Sequence, residues 1–259
     1  MSNPYYVGKN ELFELFKIKY GDPERTGWSP KQRLKFGYFQ PADNYEALIN
    51  KLVSTSTDWV DVGGGSAVFP HNEKLSTMLS ERCNILYAVD PSDNVYDNPY
   101  AHKKIQGMFE DLDTEQKFDL ATFRMVAEHI ANPAAVIEKL RTVMKPGGLV
   151  VIYTINKYSP VPIITYITPF HLHHKIKKFF WGGEEKDTFP VEYKMNTRKD
   201  LLKIFKNGEF SEEHFKYLDD LSTFSRFKWL NYIDLCFWKL LNIFSIRYPE
   251  NNLLGIYKM

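Results

Sequence analysis

Cross-linking sulfur, an export signal and a charge bias are all missing from this chain. Of 259 residues only two are cysteines, Cys83 and Cys236, far apart and outside any CxxC spacing. A disulfide framework and a structural zinc site are thereby excluded, and a reducing cytoplasmic setting is expected. Lysine plus arginine (33) and aspartate plus glutamate (32) nearly cancel, leaving a net charge of +1. Electrostatics so neutral argue against nucleic acid as a partner. No uncharged apolar run reaches the roughly 18 residues of a membrane-spanning helix. The N-terminus lacks the basic-then-apolar order of a secretion signal, and neither repeats nor low-complexity tracts occur.

What the chain does hold is an alternation of short apolar runs and helical stretches from Asp58 to Thr154. "DWVDV", "NILYAVD", "KKIQGM", "KFDLATFR" and "LVVIYTI" read as strands. Helices are expected over Ala67 to Arg82 and over Asn132 to Met144. The second of these has an Asn cap, a Pro at its first position and a "KPGG" stop. Such alternation means βαβ units and a parallel sheet with helices on both faces. Beyond Thr154 the rhythm breaks. A helix is expected at Asn196 to Asn207, with strands at Glu209 to Leu218 and in the tail "NNLLGIYKM". The expected organisation is an N-terminal helical extension (1–44) and one catalytic domain (45–259) with cap insertions at about 156–195 and 221–246. Irregular segments longer than about 15 residues are usually functional lids or binding elements.

Three consecutive glycines, Gly63, Gly64 and Gly65, stand where the first strand gives way to the first helix. In an open parallel sheet that crevice holds nucleotide-type ligands. Asp61, Gly63, Gly65 and Ala67 form Asp-x-Gly-x-Gly-x-small, and Asp90 ends the next strand, where a carboxylate can accept from a ribose diol. A dinucleotide site wants G-x-G-x-x-G; Val68 occupies the third glycine position, which disfavours a nicotinamide-dependent oxidoreductase.

"VDVGGGSAVFP", "LYAVDPS", "GMFEDL", "FDLATFRMVAEHIANP" and "VMKPGGLVVIYT" follow one another in the order found in class I S-adenosylmethionine-dependent methyltransferases. The chain resembles their small-molecule branch, similar to the ubiquinone and menaquinone methyltransferases, over roughly Tyr45 to Thr154. The resemblance implies a Rossmann-like α/β fold with a seven-stranded, mostly parallel sheet whose last strand is antiparallel. It implies S-adenosylmethionine as methyl donor. Asp61, Gly63, Gly64 and Gly65 would surround its methionine part, and Asp90, with Pro91 and Ser92, its ribose. Glu110 and Asp111 would lie near the adenine, with Phe109 available for contact; Met108 stands where many relatives have an acid. Arg124 and Met125 would face the methionine and the acceptor.

Candidate catalytic groups are less sharply marked. Glu128 and His129 follow the fourth strand, near the expected methyl position; His129 could serve as a base or make a structural hydrogen bond to a loop. His171 and His174 of "HLHH" share a helix face and could contact the acceptor. No carboxylate stands at a ligand spacing from them, so no metal is expected. "DNPY", Asp97 to Tyr100, is like the tetrapeptide of base-methylating enzymes, yet it follows the wrong strand and lacks the second proline. On a helical wheel the polar residues of Trp229 to Ile246 fall within roughly 140° and the rest is apolar. Burial inside the protein is the favoured placement; an acceptor-pocket wall, a homodimer contact and a peripheral membrane contact stay open. The expected function is methyl transfer to a small, partly apolar molecule. The alternative from another class is a catalytically silent cofactor-binding module.

Overall fold

The computed structural model describes residues 3–167 and 190–259. Seven strands form one sheet: β1 (Asp58–Val62), β2 (Ile85–Asp90), β3 (Lys103–Gln106), β4 (Phe118–Arg124), β5 (Met144–Ile155), β6 (Ser211–Asp219) and β7 (Asn251–Lys258). Their order is β3-β2-β1-β4-β5-β7-β6. Strands β1 to β5 run parallel, and β7 lies antiparallel to both β5 and β6. The mostly parallel sheet with its last strand antiparallel is thus as expected. All five residues of β1 are buried, as befits a strand covered on both faces.

Helices α1 (Lys9–Tyr20), α3 (Pro41–Leu52) and α4 (Glu73–Arg82) cover one face. Their core includes Leu15, Leu48, Trp59, Phe69 and Leu75. On the other face α5 (Pro133–Val143) and α7 (Arg198–Asn207) pack over Phe123, Leu140, Phe205 and Tyr257. The Phe205 and Tyr257 rings stack at 3.8 Å between centroids. α2 (Trp28–Phe36) and α8 (Lys228–Ile243) enclose a third, smaller cluster of Tyr38, Leu221, Leu235 and Tyr248. A short helix α6 (Pro160–Ile167) follows β5.

Local chemistry accounts for the helix starts. Asn132 Oδ1 accepts from Ala135 N at 3.3 Å with Pro133 in the first turn, the expected cap. Thr197 Oγ1 accepts from Asp200 N at 3.0 Å to open α7. The helix expected from Ala67 begins only at Glu73, because Asn72 caps it through Leu75 N at 3.2 Å. Val68 and Phe69 are instead buried plugs of the core, which gave that loop its helix-like pattern. The extension does not end at residue 44: α3 runs unbroken through that point, and Tyr45, inside it, is fully buried.

Strands β5, β6 and β7 bring their connections to the edge at which β1 and β4 also end. Both expected cap segments therefore start from the edge that carries the glycine turn. The placement expected for the second is corrected by the structure. α8 buries its polar Asn231 and Asp234 and leaves Trp229 82% and Ile243 69% exposed. Among the described residues no helix is long and apolar enough to cross a membrane.

Candidate cofactor site

The three glycines answer to three different demands. Gly63 has φ +70°, and an added Cβ would lie 2.2 Å from Val126 Cγ2. Gly64 would bring a Cβ to 3.0 Å from Ala88 Cβ and 3.2 Å from the Asp61 carbonyl. Both are fixed by close approach of the protein to itself. Gly65, at φ +39°, meets only Asp90 Oδ2 at 3.9 Å, so open space lies over it.

Asp90 shapes that turn. Its Oδ2 accepts from Gly65 N at 3.0 Å and its Oδ1 from Ser92 N at 2.8 Å. Each carboxylate oxygen keeps acceptor capacity beyond the one amide it binds. The turn is also held from behind by a residue the sequence reading passed over. Asn98, fully buried within the discounted "DNPY", donates through Nδ2 to the carbonyls of Gly64 (3.1 Å) and Gly65 (3.2 Å). Its Oδ1 accepts from Tyr100 N at 3.0 Å, which fixes the amide orientation. Asparagine among turn formers was the only signal for this role.

Under the turn, Trp59 Nε1 donates to Thr122 Oγ1 at 2.7 Å, and Thr122 donates to Asp61 Oδ1 at 2.6 Å. Burial pushes the Asp61 carboxyl up to about 7, with Asp90 adding to the rise and Thr122 and Arg124 opposing it. Arg124 Nε is buried with no hydrogen-bond partner, and Tyr45 Oη keeps the Thr122 hydroxyl as a hydrogen-bonding neighbour. The charges of Asp61 and Arg124 both act on Tyr45, which places the three groups together. An unpartnered guanidinium nitrogen beside a buried carboxyl is costly unless a ligand completes it. Met125, the residue after β4, stands at φ +54°, unusual for a side-chain-bearing residue, and donates its N–H to the Tyr153 carbonyl at 2.8 Å.

Other expected site residues fall elsewhere. Phe109 is not available for contact: its ring is buried in the core, edge-on to Phe123 at 5.7 Å. The apolar neighbour that does face outward is Met108, with Glu110 half-buried in the same short 3-10 turn. Pro91 is exposed and Ser92 Oγ accepts from Asn94 N at 3.3 Å.

Glu128 is engaged in the protein interior. Thr154 donates to its Oε2 at 2.6 Å, and its carbonyl accepts from Glu192 N at 2.7 Å. Burial raises its carboxyl, with the Thr154 bond working against that. It ties the loop after β4 to the end of β5, so it stands as a tether where the sequence had offered it as a candidate catalytic residue. His129 makes the loop contact that was one of its two readings, Nδ1 to the Pro190 carbonyl at 2.8 Å. His171 and His174 lie outside the described residues. Among the described residues no cluster of His, Cys, Asp and Glu could hold a metal.

Two hollows can be compared. One of about 240 Å³ lies at the opposite edge, by Asp119 and Gly147. The other, about 480 Å³, opens beside the end of β5 and the start of β7, lined by Tyr158, Tyr217, Tyr248, Arg198 and Arg247.

The strand order and the Asp-x-Gly-x-Gly turn facing a strand-end acid are those of the class I methyltransferase fold. The model of the methyltransferase domain family matches residues 36–211, and the chain belongs to that family: it is an S-adenosylmethionine-dependent methyltransferase. A ubiquinone biosynthesis O-methyltransferase of Coxiella burnetii is 23% identical over 181 residues, 66% of this chain and 73% of that protein. Among solved structures, a methyltransferase-type protein of Bacillus halodurans aligns with TM-score 0.50 and 15% identity, over 82% of this chain and 97% of its own. The MccD protein aligns with TM-score 0.51 and 12% identity, over 85% and 98%. The cyclase SpnF aligns at 0.50 and 12% identity, over 84% and 81%, so this fold alone does not dictate the reaction.

The residues present fit the cofactor. The open space at Gly65, the residual acceptor capacity of Asp90 and the unpartnered Arg124 nitrogen are what an adenosyl group with an amino-acid tail requires.

Proposed function

We propose that the protein methylates a small, partly apolar molecule at the C-terminal edge of β1, β4 and β5. In this reading the turn of Gly63, Gly64 and Gly65, with Asp61, Arg124 and Tyr45, holds the methionine end of the cofactor. The guanidinium of Arg124 suits a carboxylate, and a charge-assisted bond there is among the stronger kinds. Asp90 takes the ribose, flanked by Pro91 and Ser92, and Met108 and Glu110 border the adenine. When bound, the cofactor supplies an electrophilic methyl group together with its own leaving group. The protein's residues need only align two reactants and keep water from the methyl group.

The observation that carries the acceptor class is the hollow of about 480 Å³ at the same sheet edge. Its volume lies in the range of small-ligand sites, and it sets three tyrosines among a largely polar lining that includes Arg198, Lys199, Asp200 and Arg247. Tyr158, Tyr217 and Tyr248 supply the walls; Asn156 and Arg247 supply anchors. The Arg247 guanidinium sits 4.1 Å over the Tyr217 ring, where it is held in a defined place. The relative named for ubiquinone biosynthesis supports the same class of acceptor.

A hydroxyl acceptor would have to lose a proton, and His129 is the candidate base. A carbonyl oxygen only accepts, so the bond to Pro190 keeps the ring proton on Nδ1. Glu128 acts through the position of that loop.

The reading is tested by incubating the protein with S-adenosylmethionine and panels of phenols, quinone precursors, amines and acidic sugars, with mass detection of methylated product. Turnover of a partly apolar small molecule, with KM raised by Tyr217→Ala or Arg247→Ala, supports it. Methylation of nucleic acid or protein only, or no turnover despite cofactor binding, contradicts it.

A further inference from the structure

α8 is turned inside out. At about 100° per residue, Trp229, Ile233, Phe237, Leu240, Ile243 and Phe244 fall within one arc of roughly 120°. All six face solvent, from Phe237 at 47% to Trp229 at 82% exposure. The opposite side packs on the protein through Asn231, Asp234 and Leu235, with the Tyr248 hydroxyl donating to Asp234 Oδ1 at 2.7 Å. A surface helix of a freely soluble protein buries its apolar stripe and exposes its polar one. A contiguous exposed apolar face of this kind marks a contact surface.

The charges around it narrow the partner. Residues 221–248 contain four cations, Arg226, Lys228, Lys239 and Arg247, and a single acid, Asp234. That acid is buried against Tyr248, while all four cations are exposed. In a chain whose net charge is +1, this is a local concentration of positive charge around an apolar face. A second copy docked on the same face by two-fold symmetry would set the cations against their own counterparts. An anionic lipid surface satisfies both features at once. Basic side chains meet the headgroups, and the indole and aliphatic groups enter the acyl boundary.

The helix is also placed for use. It lies in the connection between β6 and β7, whose adjoining ends are at the sheet edge that carries Gly63 to Gly65. We propose that α8 is a membrane-docking helix that seats its Trp229–Phe244 face in an anionic lipid surface and turns the cofactor edge of the sheet toward it. The docking does not depend on which acceptor is methylated, though it would bring an acceptor with an apolar body within reach.

Sedimentation of the full chain with vesicles tests this without any acceptor. Vesicles of phosphatidylcholine alone are compared with vesicles holding about 30% phosphatidylglycerol, at about 0.1 M and 0.5 M salt. Two variants are needed: Trp229→Ser/Ile233→Ser/Phe244→Ser, which removes exposed apolar groups, and Arg226→Glu/Lys228→Glu, which inverts the rim. Both should keep wild-type affinity for S-adenosylmethionine by calorimetry, which shows that they are folded. The expected result is binding to the anionic vesicles, weakened about tenfold or more by either variant and by high salt. Failure of the wild type to bind anionic vesicles, or equal binding by the triple variant, overturns the proposal. So does a wild-type dimer in light scattering that the triple variant converts to monomer, because the face then belongs to a second copy.

Discussion

The two halves of one sheet edge are built on opposite plans. At the β2–β1–β4 half, backbone does most of the work. Three glycines, one strand-end carboxylate and the buried amide of Asn98 form a turn whose shape is set by contacts of 3.0 to 3.2 Å. At the β5–β7–β6 half, side chains do it: tyrosines and arginines line a hollow, and beside it a helix shows its apolar face to the outside. A donor that is always the same molecule can be held by a fixed local motif. An acceptor must be distinguished from its chemical neighbours, and that calls for varied side chains brought from distant parts of the chain.

Breaking the donor half should have the largest effect. Gly63→Ala places a methyl group 2.2 Å from Val126 Cγ2 at a φ of +70°. We expect a loss of about 3 kcal/mol or more in folding stability, read by chemical denaturation. Gly65→Ala, over open space, should cost far less stability, and the contrast separates glycine required for packing from glycine required for a ligand.

The buried acid of the same half should be visible in the pH dependence of stability. In the folded protein burial holds the Asp61 carboxyl up to about 7, against an ordinary value of 3.8. Folding therefore takes up a proton between those two values, and the stabilisation is complete only below the lower one. Stability should fall as pH rises from about 4 to about 7 and then level off, by about 2–4 kcal/mol for this group. Asp61→Asn should flatten that slope; an unchanged slope would mean the carboxyl is ionised in the fold.

Asn98→Ala sharpens the claim that the turn is clamped from behind. Removing the amide leaves the Gly64 and Gly65 carbonyls without their partner. A loss of about 1–2 kcal/mol in stability is expected, with weaker cofactor binding measured in the same preparation. Wild-type cofactor affinity in that variant would make Asn98 a structural residue only. The smallest effect belongs to the other half. Phe244→Ala, at 65% exposure, should change stability by no more than about 0.5 kcal/mol and leave cofactor affinity alone.

The same division explains what could be read from the sequence. The glycine turn, the acid at the end of β2 and the succession of strands and helices along the chain were legible because each depends on residues close together in the chain. The antiparallel β7 followed from the resemblance and pairs with β5 from Leu149↔Lys258 to Ile155↔Asn252. Phe109 read as a surface contact because the resemblance puts its motif near the adenine, but one residue decides whether a ring points in or out, and it points toward Phe123. Tyr45 carried the ordinary spacing of a core helix residue; its value lies in meeting Asp61 and Arg124, which no local pattern reveals. The wheel of α8 separated its faces correctly. It could not say which face the protein would cover, since that depends on whether Asn231 and Asp234 find company among Tyr248 and its neighbours.

We propose that the methyl donor binds at the turn with Asp90, apart from the acceptor end. Calorimetric titration of S-adenosylmethionine into the wild type and into Asp90→Ala, with melting temperatures of both, tests it most directly. We expect tight binding by the wild type and a loss of about 1.5–3 kcal/mol in the variant, as for a hydrogen bond to a charged group. The variant should still melt cooperatively, with the Gly65 and Ser92 amides turned to water. Equal affinity in the two proteins would rule this site out for the ribose, because Asp90 would then do no more than shape its own turn.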